Sequence, residues 1–302
     1  MSAEHPIRAY AALVSSMLIW GFSFLATKEL LPAIPVLSLL FARFAVASVV
    51  LGVLALVYGA LRVSRRDLAV LAGLALLSPV GYYLFETYGV ALTQASHVSI
   101  LIATIPIGVY LIAFARRLER ITWRKTAGIL LGFLGIVLLV DSSSGEAGAS
   151  LAGDVLVLGA VACAAVQTVL LKEALRRITP LQLTFYQSLL SLVVFGPPAA
   201  VDGFSWIPKV SFLGWWEFLF LAVFCSAIAF LAMNYALARL SATSVSVSVN
   251  LVPIVTVIAE AAWLGVPLTF AKVVGTALAV VGVLVIQLEK PDATLVPRQE
   301  GG

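Results

Sequence analysis

Three charged residues lie inside long apolar stretches of the sequence. Arg43, Glu86 and Glu260 each interrupt such a stretch, and the helical rise places them roughly 6, 12 and 9 Å from the middle of their respective runs. A charge in apolar surroundings is rare unless it faces protein or water. The sequence therefore predicts an ion pair or gate formed by Arg43 with Glu86 or Glu260, or contact of Arg43 with a solute carboxylate. The alternatives are a purely structural ion pair and side chains that reach up to lipid headgroups.

Amides, hydroxyls and aromatic rings recur within the same apolar stretches. We predict that ten of these residues, together with the carboxyl group of Glu86, bind a substrate. The ten are Trp20, Phe24, Tyr82, Tyr83, Ser99, Gln167, Asn234, Tyr235, Ser246 and Asn250. Aromatic rings can stack on an apolar solute, while amides and hydroxyls supply hydrogen bonds without charge. Such a set suits a zwitterion or a neutral metabolite better than a phosphate ester, which calls for clustered Arg or Lys. The alternative is that these side chains only pack between helices.

Two prolines mark equivalent points in the middle of apolar runs. Pro106 and Pro253 each lack a backbone N–H, so a carbonyl one turn earlier loses its helical partner. That carbonyl must find another polar group or face a water-filled cavity. We therefore predict a helix break or hinge at Pro106 and at Pro253.

Several chemistries lack the residues that they require. The only histidines are His5 and His97, and Cys163 and Cys225 stand alone, so we expect neither an enzyme nor a metal site. The sequence contains no phosphate-binding loop of the Walker type, and we expect no cofactor and no ATP coupling. The absence of an acidic residue from the middle of a run argues against an obligate proton relay. Among the possible energy sources for moving a solute, facilitated diffusion down its own gradient fits these residues best.

The composition is that of a membrane protein. Hydrophobic residues make up 62% of the chain and charged residues 11%, far from the roughly 25% charged content of soluble domains. Apolar runs long enough to cross a bilayer predict an all-α polytopic membrane protein with ten transmembrane helices. The predicted spans are residues 8–27, 36–58, 67–88, 95–115, 124–140, 154–171, 181–200, 212–236, 243–264 and 271–288.

Basic residues fix the expected orientation, because Lys and Arg collect in cytoplasmic loops. Fifteen of the nineteen Lys and Arg lie at the termini or in the even-numbered connections, whereas Lys28, Lys209 and Lys272 lie on the opposite side. We therefore expect both termini in the cytoplasm and a multi-pass protein of the cell (inner) membrane. The expected partners are the lipid bilayer and a small-molecule substrate. We expect no nucleic acid, because the bias itself explains the net charge of +4, and the sequence leaves the oligomeric state undefined.

The chain contains an internal duplication. Residues 81–140 align without a gap on residues 228–287 at an offset of 147 positions, with fourteen identities that include Tyr88 with Tyr235 and Pro106 with Pro253. Each copy covers five predicted spans, an odd number, so the second copy enters the bilayer inverted. We predict a first repeat at 1–140, an external linker at 141–153, a second repeat at 154–288 and a cytoplasmic tail at 289–302. Inverted repeats are typical of secondary transporters.

The residues also resemble a known family. The matching motifs are the sequence 20–24 (WGFSF), Lys28, Pro35, Arg43 with Phe44, Ala95 with Pro106, and the sequence 119–122 (ERIT). They are similar to EamA-type members of the drug/metabolite transporter superfamily, most of all to YddG-type exporters of aromatic amino acids. The resemblance implies ten helices in two inverted repeats, with the third, fourth, eighth and ninth helices near the substrate path. The second repeat departs from the family pattern at Val266-Pro267, where an acidic Glu-Arg pair is usual.

Together these features predict a secondary transporter of small neutral metabolites, foremost neutral and aromatic amino acids. It would work by alternating access, as an exporter or a uniporter. The alternatives are proton antiport of another metabolite or drug, and a channel.

Overall fold

The fold consists of helices packed side by side. The computed structural model describes residues 4–92, 98, 101–102, 104–117, 120, 122–141, 151–264 and 270–287. Within these ranges every regular element is a helix, as expected where lipid leaves the backbone no partner outside the chain. The predicted all-helical class is confirmed.

The helices are named here in chain order. They are α1 (Glu4–Leu30), α2 (Val36–Val57), α3 (Arg65–Leu92), α4 (Ile105–Ala115), α5 (Trp123–Asp141), α6 (Leu151–Ala174), α7 (Pro180–Asp202), α8 (Phe212–Leu237), α9a (Ala242–Ser248), α9b (Leu251–Leu264) and α10 (Phe270–Gln287). A short 3₁₀ turn, Ile207–Lys209, precedes α8.

Five of the described helices are long and apolar enough to cross a membrane. These are α2, α3, α6, α7 and α8, and shorter apolar helices cover Ile105–Ala115, Ala242–Thr256 and Val273–Ile286. On α2, Val49 and Val53 are exposed while Phe44 and Leu51 are buried, so one apolar face packs on protein and the other is left for lipid. The chain is a multi-pass membrane protein.

Helices from the two halves of the chain interlock. α1 packs on α8 and α9b, and α6 packs on α3 and α4. Adding 147 to the residue numbers of α1, α3 and α4 leads to α6, α8 and α9, so the two sets of contacts correspond. α2 packs on α7, and α5 on α10. The core is therefore shared between the halves.

α5 and α10 approach each other through glycines. A Cβ atom added to Gly282 would lie 2.6 Å from the Gly128 carbonyl oxygen and 2.5 Å from the Gly132 nitrogen. Small residues allow such close backbone contact between membrane helices.

Three helices are interrupted. In α3, residues Leu76–Gly81 form a π-helical segment that contains the cis Ser78–Pro79 bond and an extended Ser78 (φ −156°, ψ 133°). In α8, Phe220–Ala229 is also π-helical. After the 147-residue shift the first segment falls on residues 223–228, within the second. The ninth helix is divided by a turn at Val249–Asn250.

Candidate substrate cavity

A cavity of about 110 Å³ lies where the two halves meet. Its wall is built from α1, α2, α3, α6, α8 and α9 together with residues at the start of α4. Its polar lining consists of Ser23, Thr27, Arg43, Ser78, Glu86, Gln167, Thr168 and Ser246. Its apolar lining consists of Trp20, Tyr82, Tyr83, Ile102, Ile105, Ala164, Leu171, Phe230, Met233, Val245, Val249 and Val252. A cavity of this size has room for several water molecules or a small solute.

Aromatic rings form a continuous wall on one side of the cavity. Trp20 meets Phe230 edge to face at 5.1 Å between ring centroids, and Tyr83 lies 6.2 Å from Phe230 and 5.2 Å from Tyr82. Phe44 packs behind Tyr83 at 5.6 Å. Such edge-to-face contacts hold rings in fixed positions. The wall therefore offers a rigid apolar surface to a solute.

Arg43 supplies positive charge to the cavity. Its side chain is only 3% exposed, its Nε donates to Ser226 Oγ at 3.0 Å, and its guanidinium carbon lies 4.9 Å from the centroid of the Tyr83 ring. Guanidinium has five N–H donors. Within the described residues Arg43 forms no ion pair. Among the described groups, the Ser226 hydroxyl and the Tyr83 ring hold the cation, and no carboxylate forms an ion pair with it.

Glu86 supplies a carboxyl group to the same cavity. It is 8% exposed, and its Oε2 accepts a hydrogen bond from Thr87 Oγ1 at 2.9 Å. The structure brings Arg43 and Glu86 to one cavity, but among the described side chains it records no contact between them within 4.0 Å. The direct ion pair predicted as one possibility is therefore not formed in this structure. Glu260 lies in α9b, and its side chain is outside the described residues.

The interruption of α3 is stabilised by two glutamines. Gln167 Nε2 from α6 and Gln187 Nε2 from α7 both donate to the Ser78 carbonyl oxygen at 2.9 Å. A carbonyl released from the helical ladder in a membrane needs such partners. Gln167 thus lines the cavity while its amide N–H is engaged by the backbone.

The interruption of α8 has an equivalent partner. Trp20 Nε1 from α1 donates to the Cys225 carbonyl oxygen at 3.2 Å. Because the repeats are offset by 147 positions, Gln167 is the equivalent of Trp20 and Ser78 is the equivalent of Cys225. The hydrogen bond Trp20–Cys225 is therefore equivalent to the hydrogen bond Gln167–Ser78. Each half of the chain therefore supports the broken helix of the other half at the same place.

The structure gathers seven of the predicted site residues in the cavity. Those that line it are Trp20, Tyr82, Tyr83, Glu86, Gln167, Ser246 and Arg43. Ser99 lies outside the described residues, and Phe24 lies in α1 with its side chain also outside them.

Three predicted binding residues lie elsewhere. Asn234 is fully buried and donates through Nδ2 to Thr184 Oγ1 at 2.9 Å. The Tyr235 ring carries the Arg239 guanidinium 3.6 Å from its centroid. Asn250 is 1% exposed and lies against α5, where a Cβ on Gly132 would be 2.8 Å from its Nδ2. All three side chains pack against neighbouring protein groups instead of lining the cavity.

A turn lies just before each of the two predicted hinge prolines. Pro106 is in the first turn of α4, which follows Thr104, and Pro253 is in the first turn of α9b, which follows Asn250. The i to i+3 hydrogen bonds Ile107 N to Thr104 O (3.0 Å) and Val252 N to Val249 O (2.9 Å) tighten the backbone there. The missing proline N–H groups account for these local departures from α-helix.

Sequence reasoning missed the residues that hold the interruptions. Ser78, Ser226 and Gln187 were not among the predicted site residues, although each is a buried polar residue in an apolar run. Pro79 was the available signal, because it removes a backbone donor in the middle of α3 as Pro106 does in the fourth helix.

A larger hollow of about 620 Å³ lies between α3 and α6 near Glu173 and Arg177. Two of the three charged groups that line it are paired, Glu173 with Arg116 at 2.9 Å and Arg177 with Asp67 at 3.4 Å. The central cavity contains the buried cation of Arg43, which forms no ion pair among the described residues, and it is the better candidate for a substrate site.

Comparison with known proteins places the chain in a family. The model of the EamA-like transporter family matches residues 7–141 and again residues 151–288. An uncharacterized transporter of Archaeoglobus fulgidus is 26% identical over 93% of this chain and 99% of its own length. A probable terminal-alkyne amino-acid exporter of Streptantibioticus cattleyicolor is 32% identical over 92% of this chain and 93% of its own length.

A solved crystal structure of a protein, among those that match, has a similar fold. It superposes with a TM-score of 0.76 at 19% identity and covers 95% of this chain and 98% of its own. With the two family matches along almost the whole chain, the conclusion is that this protein belongs to the EamA-like transporter family and is a membrane transporter, not an enzyme.

Proposed function

We propose that the protein is a secondary transporter that exports or equilibrates neutral amino acids, including aromatic ones, across the cell membrane. The observation that carries the proposal is the central cavity, which combines an aromatic wall with buried Arg43 and Glu86. Aromatic rings suit an apolar side chain, and opposite charges suit a zwitterion. A relative that is 32% identical is named a probable amino-acid exporter, which supports the same substrate class.

We also propose that the protein lies in the cell (inner) membrane with ten spans in two inverted repeats. Both termini would lie in the cytoplasm. The excess of Lys and Arg in the even-numbered connections supports that orientation. The equivalent contacts of α1 with α8 and of α6 with α3 support related halves. Two related, antiparallel halves can exchange conformations, and a cavity between them then opens to each side in turn.

Proton antiport of a metabolite or drug is the second candidate. Glu86 favours it, because a carboxyl group that is 8% exposed and lines the cavity is placed to bind either a proton or a cationic substrate. A pH gradient separates the two candidates. Antiport predicts accumulation of substrate driven by that gradient, whereas facilitated flux does not.

Exchange in proteoliposomes tests the proposal. Purified protein is reconstituted into liposomes loaded with unlabelled L-phenylalanine, and the uptake of labelled L-phenylalanine is measured against a panel of competitors. We expect saturable exchange with competition by neutral and aromatic amino acids and no competition by nucleotide sugars or sugar phosphates. Protein-free liposomes are the control. Exchange of phosphorylated compounds with none of any amino acid would contradict the proposal.

A further inference from the structure

We propose that Arg43 and Glu86 together recognise the two charged ends of a free α-amino acid, Arg43 its carboxylate and Glu86 its ammonium group. This inference rests on the proposed function and deepens it. It predicts that the transporter requires both ends to be free and reads the substrate side chain only through the aromatic wall.

The surroundings of Arg43 leave its charge available. Its Nε is fixed by Ser226 Oγ at 3.0 Å, and one face of the guanidinium lies over Tyr83. The terminal nitrogens form no ion pair among the described groups, although the residue is 97% buried. A buried cation is strongly stabilised by an anion that arrives with donors and acceptors matched. A carboxylate, which can accept two parallel N–H bonds, has that geometry.

Glu86 supplies the opposite charge at the same cavity. Within the described residues its carboxylate accepts one hydrogen bond, from Thr87, and pairs with no cation. An ammonium group has three donors and no acceptor, so a carboxylate is its natural partner. A solute that carries both charges therefore neutralises Arg43 and Glu86 at once, whereas a solute with only one leaves a buried charge without a partner.

Blocked substrates test this inference. Initial rates of labelled L-phenylalanine exchange are measured with three unlabelled competitors: L-phenylalanine, its methyl ester and N-acetyl-L-phenylalanine. We expect each blocked compound to compete at least about tenfold more weakly than the free amino acid, because each leaves one buried charge unpaired. Equal competition by all three would overturn the inference while leaving amino-acid transport intact. No exchange of any amino acid would overturn the proposed function as well.

Variants assign each end to its residue. In Arg43→Gln the discrimination against the methyl ester should fall, and in Glu86→Gln the discrimination against the N-acetyl compound should fall. Arg124→Gln and Glu29→Gln, which remove the same charges at exposed positions, should keep both preferences. If Arg43→Gln is not obtained folded, Arg43→Lys serves instead, with weaker binding but retained preference for a free carboxylate. Loss of neither preference in the charge-removing variants would overturn the assignment.

A second inference comes from the equivalent hydrogen bonds at the helix interruptions. We infer that Trp20–Cys225 and Gln167–Ser78 are the two pivots about which the proposed repeats exchange conformations. When inverted repeats exchange, a bond from the first half to the second is replaced by its equivalent from the second half to the first. Both equivalents exist at once here, at 3.2 and 2.9 Å. When the two repeats exchange conformations, each of these hydrogen bonds is replaced by the other. Both bonds are therefore expected in the inward-facing and in the outward-facing state.

Other contacts between the halves lack this property. The positions equivalent to Arg43 and Ser226 in the other repeat are Leu190 and Pro79. These two residues cannot form the hydrogen bond that joins Arg43 to Ser226. Gln187 to Ser78 corresponds to Leu40 and Cys225. Such one-sided contacts are free to differ between states, which suits a residue that must release a substrate.

Distances between spin labels test the pivots. On full-length protein with both native cysteines replaced by serine, one pair of labels flanks the Trp20–Cys225 bond at Leu18 and Phe224, which are both 48% exposed. A second pair is placed at the ends of the same helices, at Ile7 and Arg239. With and without saturating L-phenylalanine, we expect an unchanged distance for the first pair and a shifted or broadened one for the second. A shift at Leu18–Phe224 as large as that at Ile7–Arg239 would overturn the inference.

Discussion

Arg43 and Glu86 give the cavity its chemical character. They are the described side chains of formal charge that line it, and no Arg43 nitrogen lies within 4.0 Å of a Glu86 carboxylate oxygen. Their charges interact across a water-poor cavity, where the effective dielectric constant is well below that of bulk water. We therefore expect the two residues to be energetically coupled without being in contact.

Charge reversal measures this coupling. Arg43→Glu and Glu86→Arg should each lower L-phenylalanine exchange at least about tenfold, because each places two like charges at the cavity. The double reversal restores one charge of each sign and should recover at least about threefold over the weaker single variant. The control pair Arg124→Glu and Glu29→Arg, at exposed positions, should leave exchange unchanged. A double variant no more active than the weaker single one would contradict the coupling.

Residue types predicted part of the site for a physical reason. Arg43, Glu86, Gln167, Tyr82 and Tyr83 stand out because a polar or amphipathic side chain in an apolar run needs a special environment. Residue type alone did not distinguish polar side chains that line a cavity from polar side chains that form buried hydrogen bonds with another helix. Asn234 satisfies its amide N–H with Thr184, a partner in another helix whose proximity follows from tertiary packing alone.

The helices themselves were largely predictable. Apolar runs indicated the second helix at 36–58, and the structure has Val36–Val57. The ninth run was predicted as one helix at 243–264, but the structure divides it at Val249–Asn250 because Pro253 removes a donor.

The interrupted segments of α3 and α8 were not predictable from local sequence. The extended Ser78 requires two glutamine donors, from α6 and α7, and these lie 89 and 109 residues away along the chain. The local sequence around Ser78 gives no information about hydrogen-bond donors so far away along the chain. A π-helical segment without its carbonyl partners would be disfavoured in lipid, so the interruption and its donors form one feature.

The contact between α5 and α10 yields a prediction on stability. Gly282→Ala adds a Cβ 2.6 Å from the Gly128 oxygen and should force α5 and α10 apart, at a cost of about 1–3 kcal/mol. Gly73→Ala is the matched control, since nothing lies within 4 Å of its added Cβ. Thermal unfolding in detergent should show a lower midpoint for Gly282→Ala and an equal or higher one for Gly73→Ala. Equal midpoints for both variants would show that the glycine contact is unimportant.

At the scale of the whole molecule, the two halves share one cavity and support each other at equivalent points. α1 and α6 each contact the interrupted helix of the other half. The 147-residue duplication was legible in the sequence because identities such as Tyr88 with Tyr235 survive in both copies. The shape of the cavity was not, since its wall combines residues from nearly the full length of the chain, from Trp20 to Val252.

The proposed mechanism treats the cavity as a site that faces one side of the membrane at a time. In a carrier of this kind, unlabelled substrate inside the liposome competes with the label for the single site and so slows the exit of the label. A channel, by contrast, lets labelled substrate equilibrate regardless of what the liposome contains.

Counterflow distinguishes a carrier from a channel. Labelled L-phenylalanine at low concentration is added outside liposomes that contain either a large excess of unlabelled L-phenylalanine or buffer alone. We expect the label in preloaded liposomes to rise transiently above its equilibrium level and then to decline, whereas buffer-filled liposomes show no overshoot. The same monotonic approach to equilibrium in both preparations, with protein-dependent flux, would contradict alternating access.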